Sequence, residues 1–246
     1  CSKDSNQTTF KKKAHIIPEF MGNKYCFSNF ECDVCNDRFG NWEDSLANFA
    51  GIYNTLSTLK GKRGFAKFKN PQDEFELFAE SENVIISRTG KTGNEDKNMI
   101  RDLENGKMLF DIKQPSYIPQ DAFKALMKIA LSMLDNNDFN KYKSAIDWIN
   151  RTESIDYSSN PLFNVYRKIG GEKRFLKPWA ILYKKRKNHI TTKSPQHTLL
   201  LFYGIIQYQI FLPFHEDDVD LLNYDKITLP IENHLMSFKL NENNER

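Results

Sequence analysis

The feature that most constrains this chain is the pair Cys32-x-x-Cys35, which runs directly into Asn36, with His15 seventeen residues upstream of the pair in the stretch AHIIPE. Two thiols at this spacing face one another across a tight turn, and a turn of that kind opening a helix is a common zinc knuckle. The alternative is a redox pair of thioredoxin type, which needs a strand–helix–strand unit before it. No such pattern precedes Cys32. All four cysteines (Cys1, Cys26, Cys32, Cys35) fall in the first 35 residues, a poor distribution for a disulfide scaffold of 246 residues and a natural one for a local metal staple. Cys26 reads most simply as a buried strand residue.

Around this pair, residues 1–60 are expected to form a small ββα unit. It would comprise a strand through KKKAHIIP, a turn at Gly22 and Asn23, a second strand into the cysteine turn, and a helix from about Asn36. Phe39, Trp42, Leu46, Phe49 and Tyr53 recur at helical spacing, with Gly40 weakening the first turn. A unit this short has little core of its own, so a metal is a physical substitute for burial. Residues 61–74 follow as a basic linker; KGKRGFAKFKN, at 60–70, mixes glycine with five basic residues.

The remainder reads as a larger α+β domain over 75–215 and a polar, acidic tail over 216–246. Short runs FELFAE, NVIISR and KMLFDI, separated by turn residues, predict a small antiparallel sheet, with RTGKTGNEDKN as a mobile loop between them. After Pro119, Phe123, Leu126, Ile129, Ala130, Met133 and Leu134 share one helical face, and Asp121 is placed to cap the helix. A second helix is expected over Asp138 to Asn150, followed by strands in KPWAILYKK and HTLLLFYGIIQYQIFLP. No internal repeat is apparent.

Hydrophobic residues make up 39% and charged residues 27%, and no apolar run approaches the roughly 20 residues needed to span a bilayer. The polar, basic start CSKDSNQTTFKKK has no apolar stretch of the signal-peptide kind, which makes a cytoplasmic location the default expectation. The formal charge is only +3, yet residues 1–70 hold eleven Lys/Arg against seven Asp/Glu. That local surplus suits phosphate contact, although single lysines are as often simply solvated.

His15 in AHIIP, Asn29 in SNFECDVCN and Asn36 directly after Cys35 together resemble the HNH, or ββα-metal, nuclease family over about the first quarter of the chain. The fold implied is a treble-clef-like zinc module. By this resemblance His15 is the general base that takes a proton from the water attacking a phosphodiester. Asn36 would bind a catalytic Mg²⁺ or Mn²⁺ ion, and Asn29 would orient the histidine strand. Many family members carry Asp or Glu immediately before the histidine as a metal ligand, where this chain has Ala14. Asp44 or Glu43 could complete the site, water and substrate oxygens could fill it, or the module is a degenerate, inactive one. The bland reading of both acids is a solvated helix face.

The resemblance also implies a four-ligand Zn²⁺ site with Cys32, Cys35 and Cys1, the last pairing with a cysteine before the first residue, or else with Asp4 supplying an oxygen. Lys11, Lys12, Lys13 and Arg38 flank the site and are candidates for phosphate contact, with solvated element ends as the alternative. Nuclease modules of this kind are found in bacterial restriction and anti-phage systems, which makes a defence role the expected context.

In the second region, residues 167–187 contain nine basic residues and one acidic, interleaved with Phe175, Trp179 and Tyr183. Basic plus aromatic suits nucleic acid, but the alternation equally describes a strand whose aromatics are core. His189, His197, His215 and His234 show no ligand spacing, and GKTGNED lacks the setting of a phosphate loop. The region resembles no family and reads as a recognition, sensing or partner-docking domain. Three readings follow: a DNA endonuclease, a zinc module that binds nucleic acid or protein without cutting, and an RNA-cleaving nuclease.

Overall fold

The computed structural model describes residues 5–28, 31–62, 64–69, 75–89, 99–102, 107–110, 113–151, 161–170, 174–186, 195–218 and 236–238. Its first unit has the expected ββα order. Strands β1 (Ala14–His15) and β2 (Phe27–Ser28) pair antiparallel, Ala14 opposite Ser28 and His15 opposite Phe27. Between them a 3₁₀ turn, Glu19–Met21, is closed by Gly22 at φ 87°, a left-handed conformation that glycine adopts without penalty. Cys26, expected in a strand interior, lies just before β2 and is exposed.

Helix α1 (Asp33–Ala50) begins three residues before Asn36 because Cys32 caps it, its sulfur accepting from the Cys35 N–H. Phe39, Trp42, Leu46 and Phe49 form its buried stripe. Gly51 ends it, and Tyr53 falls in a separate short helix, α2 (Ile52–Leu56).

Residues 60–70 are not a plain linker. They carry β3 (Lys60–Gly61), β4 (Gly64–Phe65) and β5 (Lys67–Lys69). The Lys-Phe-Lys alternation buries Phe68 beside Ile52 and Leu77 while the lysines face water. β5 joins β6 (Phe75–Ser81) and β7 (Val84–Thr89) in one sheet, and β8 (Met99–Asp102) pairs with β9 (Lys107–Phe110). Most of the loop RTGKTGNEDKN lies outside the described residues.

Helix α3 (Pro119–Leu131) starts with proline at its first position, a preset φ that suits a helix start. Its N-cap is Ile118, so Asp121 sits within the first turn and does not cap it. Residues 122–131 are buried all round, and Met133 and Leu134 lie beyond the helix end. The single helix expected from Asp138 is two, α4 (Asn136–Asn140), capped by Asp135, and α5 (Lys143–Asn150). They break at Tyr142, whose fully buried ring is held by a hydroxyl contact to His197 Nδ1 at 2.8 Å.

A five-stranded antiparallel sheet completes the fold, in the order β11 (Phe175–Lys184), β12 (His197–Gly204), β13 (Ile206–Leu212), β10 (Val165–Ile169) and β14 (Met236–Phe238). Gly204 at the β12–β13 turn presses on Ser57, where an added Cβ would stand 2.1 Å from the serine Cβ. Of the expected tail, 219–235 and 239–246 lie outside the described residues. α3 packs against both α1 and β13, and one buried cluster runs from Ile17 and Met21 through α1, α3 and α5 into the sheet. The core is therefore continuous across the 61–74 segment. No helix among the described residues is long and apolar enough to cross a membrane.

Candidate active site

His15 ends β1 with its ring partly buried against Phe27, 4.7 Å between centroids. Its Nε2 lies 3.2 Å from Glu19 Oε1, four residues on, and its Nδ1 is 3.5 Å from the Asn23 amide nitrogen. Burial lowers the imidazole pKa, and Lys128 and Lys62 push the same way while Glu19 opposes them. The ring is therefore neutral and able to accept a proton at neutral pH. With Nε2–H donating to Glu19, the Nδ1 lone pair faces the Asn23 amide nitrogen.

Asn23 organises the loop that carries this histidine. Its amide donates to the carbonyls of Ile17 at 2.6 Å and Cys26 at 2.9 Å, and its oxygen accepts from the N–H groups of Tyr25 and Cys26. This is the loop-ordering role expected of Asn29, which itself lies outside the described residues.

Behind the hairpin stands a buried charge cluster that sequence reading missed. Lys128, on α3 and 3% exposed, donates to the His15 main-chain carbonyl. Glu31 Oε1 and Glu43 Oε1 each lie 3.5 Å from the same ammonium. Burial pushes the Glu43 carboxyl up to about 7 despite Lys128, and burial likewise raises Glu31. Glu43 is thus turned inward, contrary to the solvated helix face expected of it. Neither Glu31 oxygen finds a well-aligned donor among the described residues, although Lys128, Ser28 and Ser132 temper its burial.

The cysteine pair sits where expected. Cys32 and Cys35 are buried, reduced and adjacent at the N-terminus of α1. Burial alone would raise the Cys32 thiol, but hydrogen bonds from Cys35, Thr8 and Val34 bring it down, whereas burial pushes Cys35 up. A lowered thiol at a helix start suits metal ligation. Among the described residues no group of three His, Cys, Asp or Glu side chains could hold a metal ion. Cys1 and Asp4, the other ligands expected of a zinc site, lie outside those residues. Both cysteines also line a cavity of about 300 Å³ with Glu31, Lys128, Phe39 and Phe139.

The remaining candidates are only partly brought together. Asn36 stands one turn into α1, and Asp44, exposed, eight residues further along it. That is about 12 Å of helix rise, too far for both to ligate one ion directly. Ala14 is fully buried opposite Ser28, so the position before the histidine faces the interior, whereas Glu19 brings a carboxylate to the imidazole from the other side. Lys12 is paired to Asp37 at 2.5 Å and Arg38 to the Asn150 side chain at 3.1 Å, which commits both to structural partners. Lys11 is exposed and Lys13 lies over the Phe27 ring.

Residues 1–48 match the family described as HNH endonuclease. The suspected resemblance to that family is therefore found at the N-terminus, in an α+β protein whose first unit is a hairpin followed by a helix. No curated protein and no solved structure matches the chain.

Proposed function

We propose that the protein is an HNH-type endonuclease that hydrolyses phosphodiester bonds in DNA, with His15 as general base. The observation that carries this reading is the His15–Glu19 pair, held on a hairpin that falls inside the matched segment. His15 takes the proton of the attacking water, Glu19 beside Nε2 holds the ring, and Asn23 fixes the loop between the two strands. The imidazolium formed is stabilised by Glu19.

Asn36 is the residue that would hold a divalent cation such as Mg²⁺ or Mn²⁺, which when bound supplies positive charge to the phosphate and the leaving oxygen. Cys32 and Cys35 would hold a structural Zn²⁺ with ligands from the chain's first residues. A role in restriction or anti-phage defence is proposed on the expectation that nuclease modules of this kind, joined to a second domain, serve there. The second region would serve as a recognition or partner-docking element.

The test is incubation with supercoiled plasmid and Mg²⁺ or Mn²⁺ beside a His15→Ala variant. Nicking or linearisation lost in the variant is the expected result. An intact plasmid with both proteins, together with retained DNA binding, would replace the nuclease by a binding module. Cleavage of RNA but not of DNA would move the substrate.

A further inference from the structure

The aromatics of β11 are not core. Trp179 is 63% exposed, Tyr183 45% and Ile181 39%. Strand alternation puts these three on one face, while Ala180 and Leu182 turn inward and pack against the buried cluster. Residues 174–186 contain five Lys/Arg and no Asp/Glu. Two of the five are already engaged, Lys184 by Asp138 at 2.6 Å and Arg174 by main-chain carbonyls. Lys177 and Arg186 are exposed at the two ends of the ring row.

The strip continues onto the hairpin that carries His15. Lys177 Nζ lies 5.9 Å from the ring centroid of Tyr25, which is 77% exposed in the loop before β2. Gly22 of the same loop approaches the Leu176 carbonyl. Exposed rings and flanking cations thus run from β11 onto the loop of the hairpin that carries His15.

We propose that this surface is a platform for single-stranded nucleic acid, whose bases stack on Trp179, Tyr183 and Tyr25 while Lys177 and Arg186 meet the backbone. It rests on the nuclease reading for its substrate class. Trp179 and Tyr183 are about 13 Å apart along the strand, a spacing that suits splayed bases and not a continuous duplex stack. Unpaired bases offer their faces to aromatic side chains whatever their sequence. Strand addition by a peptide or by a second copy is disfavoured at this edge. Pro178 lacks the N–H that pairing needs, the β11–β12 register is broken between Phe175 and Trp179, and lysines line the strand.

The experiment is fluorescence anisotropy of a labelled 20-nucleotide oligo-dT with the full chain carrying His15→Ala, so that the probe survives. Trp179→Ala with Tyr183→Ala in that background is expected to weaken binding by about tenfold or more, with an unchanged circular dichroism spectrum. Trp179→Phe should restore most of the affinity. Unchanged affinity in the double variant would overturn the platform, as would sedimentation showing a parent dimer that the double variant dissolves. The two readings fail separately. Plasmid cleavage by the wild-type protein with ring-independent oligo-dT binding leaves the nuclease and removes the platform. Ring-dependent binding without any cleavage does the reverse.

Discussion

Two hairpins of this protein reach order by opposite routes. β12 and β13 pair along His197–Gly204 and Ile206–Leu212, with side chains buried on the core face, and ladder hydrogen bonds plus burial hold them. β1 and β2 are two residues each, far too short to be stable in water. Side chains hold them instead: Asn23 threads the loop with main-chain hydrogen bonds, and Lys128 reaches in from α3 to the His15 carbonyl. The long hairpin is scaffold. The short one, carrying His15, is positioned from outside itself, which allows precise placement and makes it fragile at a few named atoms.

Lys128→Met should break the comparison hardest. It removes the donor to the His15 carbonyl and leaves Glu31 and Glu43 without their cation, at a cost of about 3–5 kcal/mol at pH 7 in denaturant unfolding. The penalty should shrink toward pH 5, where the Glu43 carboxyl is protonated.

Asn23→Ala comes next. The loss should be about 1–3 kcal/mol because buried main-chain groups lose their partners, and limited proteolysis should then cut within 22–27 while leaving β12–β13 intact.

Glu43→Gln sharpens the contrast through pH. A carboxyl raised to about 7 contributes stability fully below its unfolded value near 4.5 and loses it as pH rises through about 7. The variant should therefore flatten the fall in stability between pH 5 and pH 8, by an amount on the order of 1–3 kcal/mol, read from melting at each pH.

The smallest effect is expected for Glu19→Gln. Removing the carboxylate lowers the His15 pKa further, so the acid limb of the cleavage profile should move to lower pH while kcat falls from loss of ring orientation. A limb that stays in place would remove Glu19 from the site.

The ββα order, the α1 stripe and the α3 core face were legible because apolar spacing reports directly on burial. Where α1 begins was not, because a cysteine sulfur capped it at Cys32 in place of the usual oxygen. Lys128 was out of reach: its partners His15, Glu31 and Glu43 are far away in sequence, and an amphipathic lysine inside an apolar helix looks like a solvent-facing one. Asn23 was readable as a turn residue, but the turn's reach to the Ile17 carbonyl was not. The alternation of β11 was visible in the sequence, yet alternation cannot say which of two faces another layer covers, and Trp179 fell on the open one.

The bond from Lys128 to the histidine carbonyl bears on how such a protein can be rebuilt. A cassette cut at residue 60 would carry the cysteines, the histidine and α1, but it would leave behind the lysine that seats the His15 carbonyl and the helix that covers Phe39 and Trp42. Domain shuffling, in the laboratory or in a genome, must therefore move the first unit together with α3 or supply a substitute cation at the same depth. Fusions that ignore this would give a correctly spaced motif with a wandering histidine.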